Sequence, residues 1–431
     1  MGEKAVRTGK CLYLLTKTND MIIAVRPGCL LLCCLISIGG RPQSPENNSA
    51  SVPPVSVSGY VFLDSNHNGI KDDNEQGIKG VAVSDQVNVV ITDDKGYYQI
   101  RGLAGFGYIF ISMPEGYTTV HGYWQKTESV PPGSSGAAKT VSIDFPLLPT
   151  VAHTSFSFIQ ASDTHVSEKT VDRMQKFRDV VDSVKPDFVI ITGDLVKDAL
   201  RVPETEARGL FELFKREIGK MSTSVWCIPG NHENFGIERH LSLVSPKNPL
   251  YGRKMYRFYF GPDYYSFNYG GFHFIGLNSL SFEDLYYYGH IDSTQLEWLK
   301  RDIAVLPLST PIVTFQHVPF FSGVLSMSSF EDHGFDRTVE WEKGVLQYRH
   351  VVSNAQEVYA ILSQHNYPLA LAGHHHLQQK LTMEGVQTRF EQTAAVIGPS
   401  EEGGFHHPSG VTVYHIVNGV IDEGRFIPLN K

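Results

Sequence analysis

The stretch Ser224–Glu233, SVWCIPGNHE, decides the fold. A run of apolar residues leads directly into Gly230-Asn231-His232-Glu233, four residues suited to a turn and to ligation. Four other apolar runs end in the same way. SFSFIQAS precedes Asp163-Thr164-His165, and DFVIIT precedes Gly193-Asp194. IVTFQ precedes His317, and PLALA precedes Gly373-His374-His375-His376. Unbroken apolar runs of this length suit strands buried on both faces. In open α/β sheets, ligands bind beyond the carboxyl ends of such strands. One Asp-x-His or one buried His is more often structural than a ligand. Five such endings in succession place acid, amide and imidazole groups at a common sheet edge.

Helical periodicity fills the gaps. Val171, Met174, Phe177, Val181 and Val184 share one helix face. Thr294 and Glu297 read as a capping box for a helix carrying Leu296, Leu299 and Ile303. YRFYF (256–260), YYSFN (264–268), FHFIGL (272–277) and VTVYHI (411–416) read as antiparallel strands.

In order, D-x-H, G-D, G-N-H-E, H and G-H-x-H resemble the motif set of the calcineurin-like metallophosphoesterases, over residues 154–431. The resemblance implies an α/β fold, a four-layer αββα sandwich with two central mixed sheets. It also implies two transition-metal ions. One would take Asp163, His165, Asp194 and His376, the other Asp194, Asn231, His317 and His374, so that Asp194 bridges. The spacing of His374 and His376 would let both reach the metals while His375 points away. His232 would be the general acid for the leaving oxygen, with Asp198 and Glu233 orienting the ligands from behind.

Phosphoesters resist hydrolysis because their oxygens repel a nucleophile and the alkoxide leaves poorly. Two cations meet both difficulties, and a bridging hydroxide then attacks phosphorus in line. Imidazole and oxygen donors without thiolate favour manganese, iron or zinc. Leu195-Val196-Lys197-Asp198 follows Gly193-Asp194, with no Tyr, which argues against the iron–tyrosinate site of purple acid phosphatases. Phosphatase and phosphodiesterase activity both stay open. The alternative is a surface binding protein with a vestigial metal site.

Several residues have blander readings. Tyr286-Tyr287-Tyr288 read as strand packing, Cys227 as inert core and His273 as a strand residue. Phe320–Tyr348, directly after His317, is expected to shape the substrate pocket, with Asn234 and Phe235 as further wall candidates. His406 and His407 are candidates for lining the cleft.

Residues 55–148 read as a smaller all-β sandwich: short alternating strands bounded by Gly, Asp, Asn and Pro, ending with Lys139–Leu147. Within it, Asp64, Asn66, Asn68, Asp72 and Glu75 fall at positions 1, 3, 5, 9 and 12 of a loop with Gly69 at position 6. That spacing matches a calcium loop, although its flanks are strands and not helices. The segment resembles the B-type domains of bacterial surface adhesins, which carry calcium in a similar loop.

Composition bounds the rest. The chain has 431 residues, 42% hydrophobic, with a net charge of -8. That sign makes a nucleic-acid polymer a poor partner, whereas a small phosphoester suits a site whose field is reversed by bound cations. Four of the five cysteines (Cys11, Cys29, Cys33 and Cys34) lie before residue 35, around the apolar run GCLLLCCLISI. The run is too short to span a bilayer and fits a secretory leader. Residues 1–40 are therefore expected to be a leader and 41–54 a linker, giving an exported bacterial protein of the periplasm or cell surface. A lipid on Cys33 or Cys34 would be its membrane anchor.

Overall fold

The computed structural model describes residues 56–103, 106–119, 121–127, 140–324, 339–342, 345–402 and 404–429, with backbone alone for 339–342, 345–347 and 402. The expected leader with its four cysteines and the expected linker lie outside these residues, as does most of the Phe320–Tyr348 segment. The described residues all belong to one compact unit, Val52–Lys431. Among them, no helix is long and apolar enough to cross a membrane.

The carboxyl-terminal part is a four-layer α/β/β/α stack, as the family resemblance implied. One six-stranded sheet runs Ser224–Cys227, Phe188–Ile191, Ser155–Ala161, Gly410–Val417 and Val420–Ile421, with Arg425–Pro428 also paired to Gly410–Val417. Its first three strands are parallel. The other runs Tyr265–Tyr269, Phe272–Leu277, Pro311–Gln316, Asn366–Ala372, Arg389–Gln392 and Gln379–Leu381. Its four middle strands are parallel.

Alternation along each strand explains the layers, because successive side chains leave opposite faces. Phe158, Phe188 and Ile190 join Phe274, Phe315 and Leu369 between the sheets. Ile159, Ala161, Val189 and Ile191 instead meet Met174, Phe177 and Val181 of the helix Val171–Val184, and Phe211 and Phe214 of Glu204–Ile218. Phe158 stacks on Phe188 and on Tyr414, and meets Phe274 edge-on. Aromatic rings thus set the spacing between the sheets.

Two expected elements differ. YRFYF lies in the helix Lys254–Phe260, not in a strand. Its Tyr256 and Tyr259 are buried and Phe258 is exposed, a helical pattern that dense aromatics disguised as a strand. The helix Ser293–Ile303 is capped by Asp292, whose carboxylate accepts from Gln295 N, not by Thr294. The expected strand Lys139–Leu147 is broken into Thr140–Ser142 and Phe145–Pro149, both parallel to Ser56–Leu63.

The amino-terminal β region packs a five-stranded and a four-stranded sheet. In its Asp64–Glu75 loop the oxygen-bearing side chains converge. The amides of Asn66 and Asn68 donate to Asp72, Asp64 accepts from Asn68 N and Gly69 N, and Glu75 accepts from Ser65 N and Asp72 N. This region is joined to the α/β stack by a buried seam. Gln86 Nε2 donates to Tyr264 O, Tyr264 Oη donates to Gln86 O, and Trp298 Nε1 donates to Ser84 Oγ. His273 sits in the same seam, buried between Asn268 and Asp302.

Candidate metal centre

All five strand endings meet at one place. Asp163 and His165 follow Ser155–Ala161, Asp194 follows Phe188–Ile191, and Asn231 and His232 follow Ser224–Cys227. His317 follows Pro311–Gln316, and His374 and His376 follow Asn366–Ala372. The backbone turns sharply to bring them there. Asp163, His165, Asp194, His374 and His376 all have positive φ, between 39° and 75°. Side chains rarely adopt that region, and each instance costs on the order of 1 kcal/mol or more. Such strain, gathered on five residues at one point, marks a site built for chemistry.

The motif glycines are there for close approach. A Cβ on Gly230 would overlap Asp194 Oδ1, and one on Gly373 would overlap Ser162 Oγ.

The donor atoms fall into two groups that share one carboxylate. In the first, His376 Nε2 lies 3.1 Å from Asp163 Oδ1 and 3.2 Å from His165 Nε2. In the second, His317 Nε2 lies 3.1 Å from Asn231 Oδ1 and 3.2 Å from His374 Nδ1. Asp194 Oδ2 stands between the groups, 3.6 Å from His165 Nε2 and 3.3 Å from His317 Nε2. The structure thus brings together all seven residues singled out as ligands.

The residues fit cations. Asp163 Oδ1 is fully buried beside two imidazole nitrogens, His376 Nε2 at 3.1 Å and His165 Nε2 at 3.9 Å, and a buried carboxylate is costly unless positive charge lies beside it. His317 Nδ1 donates to Thr192 O, which fixes the ring and turns its Nε2 toward the Asn231 carbonyl oxygen and His374 Nδ1. Electrostatics agree. Burial pushes His165 down to about 4 and His374 well below its ordinary range. Asp194 is held well below the usual carboxylate range, because the His317 and His232 charges outweigh its burial. His317 rises to about 9, as Asp194 and Asp163 outweigh its burial. Carboxylates held low beside two imidazoles that burial keeps neutral, His165 and His374, form a cluster with surplus electron pairs.

His232 lies at the rim. Its Nδ1–H donates to Lys197 O at 2.6 Å, leaving Nε2 facing the site, 3.8 Å from Asp194 Oδ2. Glu233 is buried behind it and accepts from Val196 N and Gly230 N, tying two ligand-bearing loops together. Burial, with Asp194 adding to it, raises its carboxyl to about 8. Asp198 does not reach a ligand atom. It accepts from Leu200 N and Arg201 N and pairs with the Arg201 guanidinium, shaping the turn beside Lys197.

Two wall candidates are core instead. Phe235 is fully buried in the helix–sheet cluster, and Asn234 is buried with its amide on Gly230 O and Asn231 O. His406 and His407 lie on the hairpin formed by Ser400–Glu402 and Phe405–His407, anchored where Ser400 Oγ donates to His376 O. Cys227 is buried, and burial lifts its thiol to about 12, consistent with inert core. Sequence reasoning missed His350, whose Nδ1 lies 2.9 Å from His374 Nε2. It follows no apolar run and belongs to no motif, so nothing in the sequence marks it.

A family model described as calcineurin-like phosphoesterase matches residues 156–378, and one described as N terminal of calcineurin-like phosphoesterase matches residues 65–130. The chain belongs to the calcineurin-like phosphoesterase family. A serine-aspartate repeat-containing protein F of Staphylococcus epidermidis is 42% identical over 73 residues, 15% of this chain and 4% of that protein's length. The chain therefore spans only a small fraction of the repeat proteins it matches. A 3',5'-cyclic-nucleotide phosphodiesterase of Nostoc sp. is 25% identical over 238 residues, 51% of this chain and 71% of the relative. A dimetal phosphatase from Danio rerio is similar in structure, with a TM-score of 0.42 and 14% identity, covering 64% of this chain and 99% of that one.

Proposed function

We propose that the protein is a metal-dependent hydrolase of small phosphoesters, with a phosphodiester as its first candidate substrate. One observation carries this reading: seven nitrogen and oxygen donors from five strand ends converge in two groups around the shared carboxylate of Asp194. Asp163, His165 and His376 would hold one cation, Asn231, His317 and His374 the other, and Asp194 both. Two such cations neutralise phosphoryl oxygens and lower the pKa of a water nucleophile.

The chain's own residues do the remainder. His232 carries a proton on Nε2 to the leaving oxygen, with the ring held in place by Lys197 O. Glu233 keeps the loops bearing Asp194 and Asn231 in register. The strained turns hold the ligands before substrate arrives, so little reorganisation is needed at the reaction step. The diester preference is taken from the printed name of the Nostoc relative.

Turnover of p-nitrophenyl phosphate, bis-p-nitrophenyl phosphate and a 3',5'-cyclic nucleotide with added Mn²⁺ tests the reading. Cleavage of the diesters faster than the monoester supports it. No cleavage of any, with Asp194→Asn indistinguishable from wild type, would refute it. The proposal includes export to the cell surface, supported by the adhesin-like segment, and calcium in the Asp64–Glu75 loop, supported by its oxygen spacing. A melting curve unmoved by chelator would rule out the calcium.

A further inference from the structure

The segment that follows His317 returns to the site at Arg349 and His350, and it is firmly held there. Ser353 N donates to Gly289 O at 2.8 Å, Ile291 N donates to Asn354 Oδ1 at 3.1 Å, and the Arg349 guanidinium lies 5.1 Å from the centre of the Tyr287 ring. This brings the His350 ring edge to that of His374, with their planes 29° apart and centroids 5.1 Å apart. The nitrogens meet directly, His350 Nδ1 to His374 Nε2 at 2.9 Å.

His374 has two ring nitrogens with different surroundings. Nδ1 faces His317 Nε2 at 3.2 Å and belongs to the group that includes Asp194. If Nδ1 offers its lone pair there, Nε2 must carry the proton of the neutral ring. That proton then points at His350 Nδ1, which must accept it. An acceptor on the outer nitrogen fixes both the tautomer and the ring plane of a ligating imidazole.

We propose that His350 is a positioning residue for the metal centre. It accepts the Nε2–H of His374, commits Nδ1 to the cation shared with Asn231 and His317, and so couples occupancy of that position to the seating of residues 349–354 against Tyr287, Gly289 and Ile291. The inference rests on the dimetal reading and deepens it.

The test is Mn²⁺ binding to the full chain by titration calorimetry, with bound metal counted by mass spectrometry. His350→Phe keeps an aromatic ring but removes the acceptor, whereas His350→Gln restores a carbonyl oxygen. Wild type should bind two Mn²⁺. His350→Phe should bind one of them as wild type does and the other about 10- to 100-fold more weakly, with His350→Gln recovering part of that loss. Two unchanged Mn²⁺ affinities in His350→Phe would overturn the proposal. Equal weakening in His350→Phe and His350→Gln would also overturn it, because returning an acceptor would then have recovered nothing. Should His350→Phe fail to fold, His350→Leu, which also lacks the acceptor, decides in its place: loss confined to one Mn²⁺ supports the proposal, and wild-type binding or loss of both overturns it. A wild type that binds no Mn²⁺ would remove the dimetal reading itself, and this inference with it.

Discussion

Replacing His232 with Asn separates catalysis from metal binding. The ring makes one hydrogen bond, to Lys197 O, and its side chain is 21% exposed. The backbone on either side is held independently, because His232 N donates to Asp194 Oδ1 at 3.0 Å and Ala199 N donates to His232 O at 2.9 Å. Losing the ring should therefore cost about 1 kcal/mol of hydrogen bonding and leave the seven donor positions unchanged. The kinetic effect should be far larger. Loss of a positioned general acid costs about 10²–10⁴ in rate, or roughly 3–5 kcal/mol at 1.36 kcal/mol per tenfold. The loss should depend on the leaving group: largest for alkyl phosphoesters, whose alkoxide needs the proton, and smallest for nitrophenyl esters, whose phenolate does not. The assay is kcat/KM across phosphoesters of graded leaving-group pKa, with metal content measured on the same preparations. Equal slowing for every leaving group would refute the acid role, and loss of metal would refute the separation.

Other outcomes follow from the packing. Gly230→Ala should lose most activity and metal, because the added methyl overlaps Asp194 Oδ1; a variant with wild-type metal content would contradict the close approach. Trp298→Ala should cost about 3–5 kcal/mol, since the ring is fully buried at the seam and packs on Phe110 and Tyr264. Its unfolding should remain a single transition by calorimetry, whereas two separated transitions would show that the seam does not couple the β region to the α/β stack. Glu217 is buried beside Arg178, and although burial pushes its carboxyl up, Lys220 and Arg178 hold it below its ordinary 4.5. A depressed folded value means stability that is present above about pH 4.5 and lost as pH falls through the folded value. Arg178→Met should therefore flatten the acid limb of a stability–pH profile, and an unchanged limb would contradict this.

Much of the site was legible because its chemistry is tied to strand ends. An apolar run that stops at Asp, Asn or His states both where the strand ends and what it delivers, and Asp163 through His376 follow that rule. That these strands are covered on both faces was legible for the same reason, whereas the four-layer order came from the family resemblance. What was not legible depends on contacts between distant segments. Phe235 sits two residues after Glu233 and seemed a pocket wall, yet tertiary packing turns it into the core. His350 owes its position to the hydrogen bonds that hold residues 353 and 354 against Gly289 and Ile291. The Lys254–Phe260 helix was misread because aromatic density mimics a strand, while its burial follows helical spacing.

Anomalous diffraction from crystals of the full chain soaked in Mn²⁺ would test the central claim most directly. Two peaks are expected, one among Asp163, His165 and His376 and one among Asn231, His317 and His374, with the Asp194 carboxylate between them. Absence of both peaks, or manganese bound only elsewhere on the chain, would contradict the account.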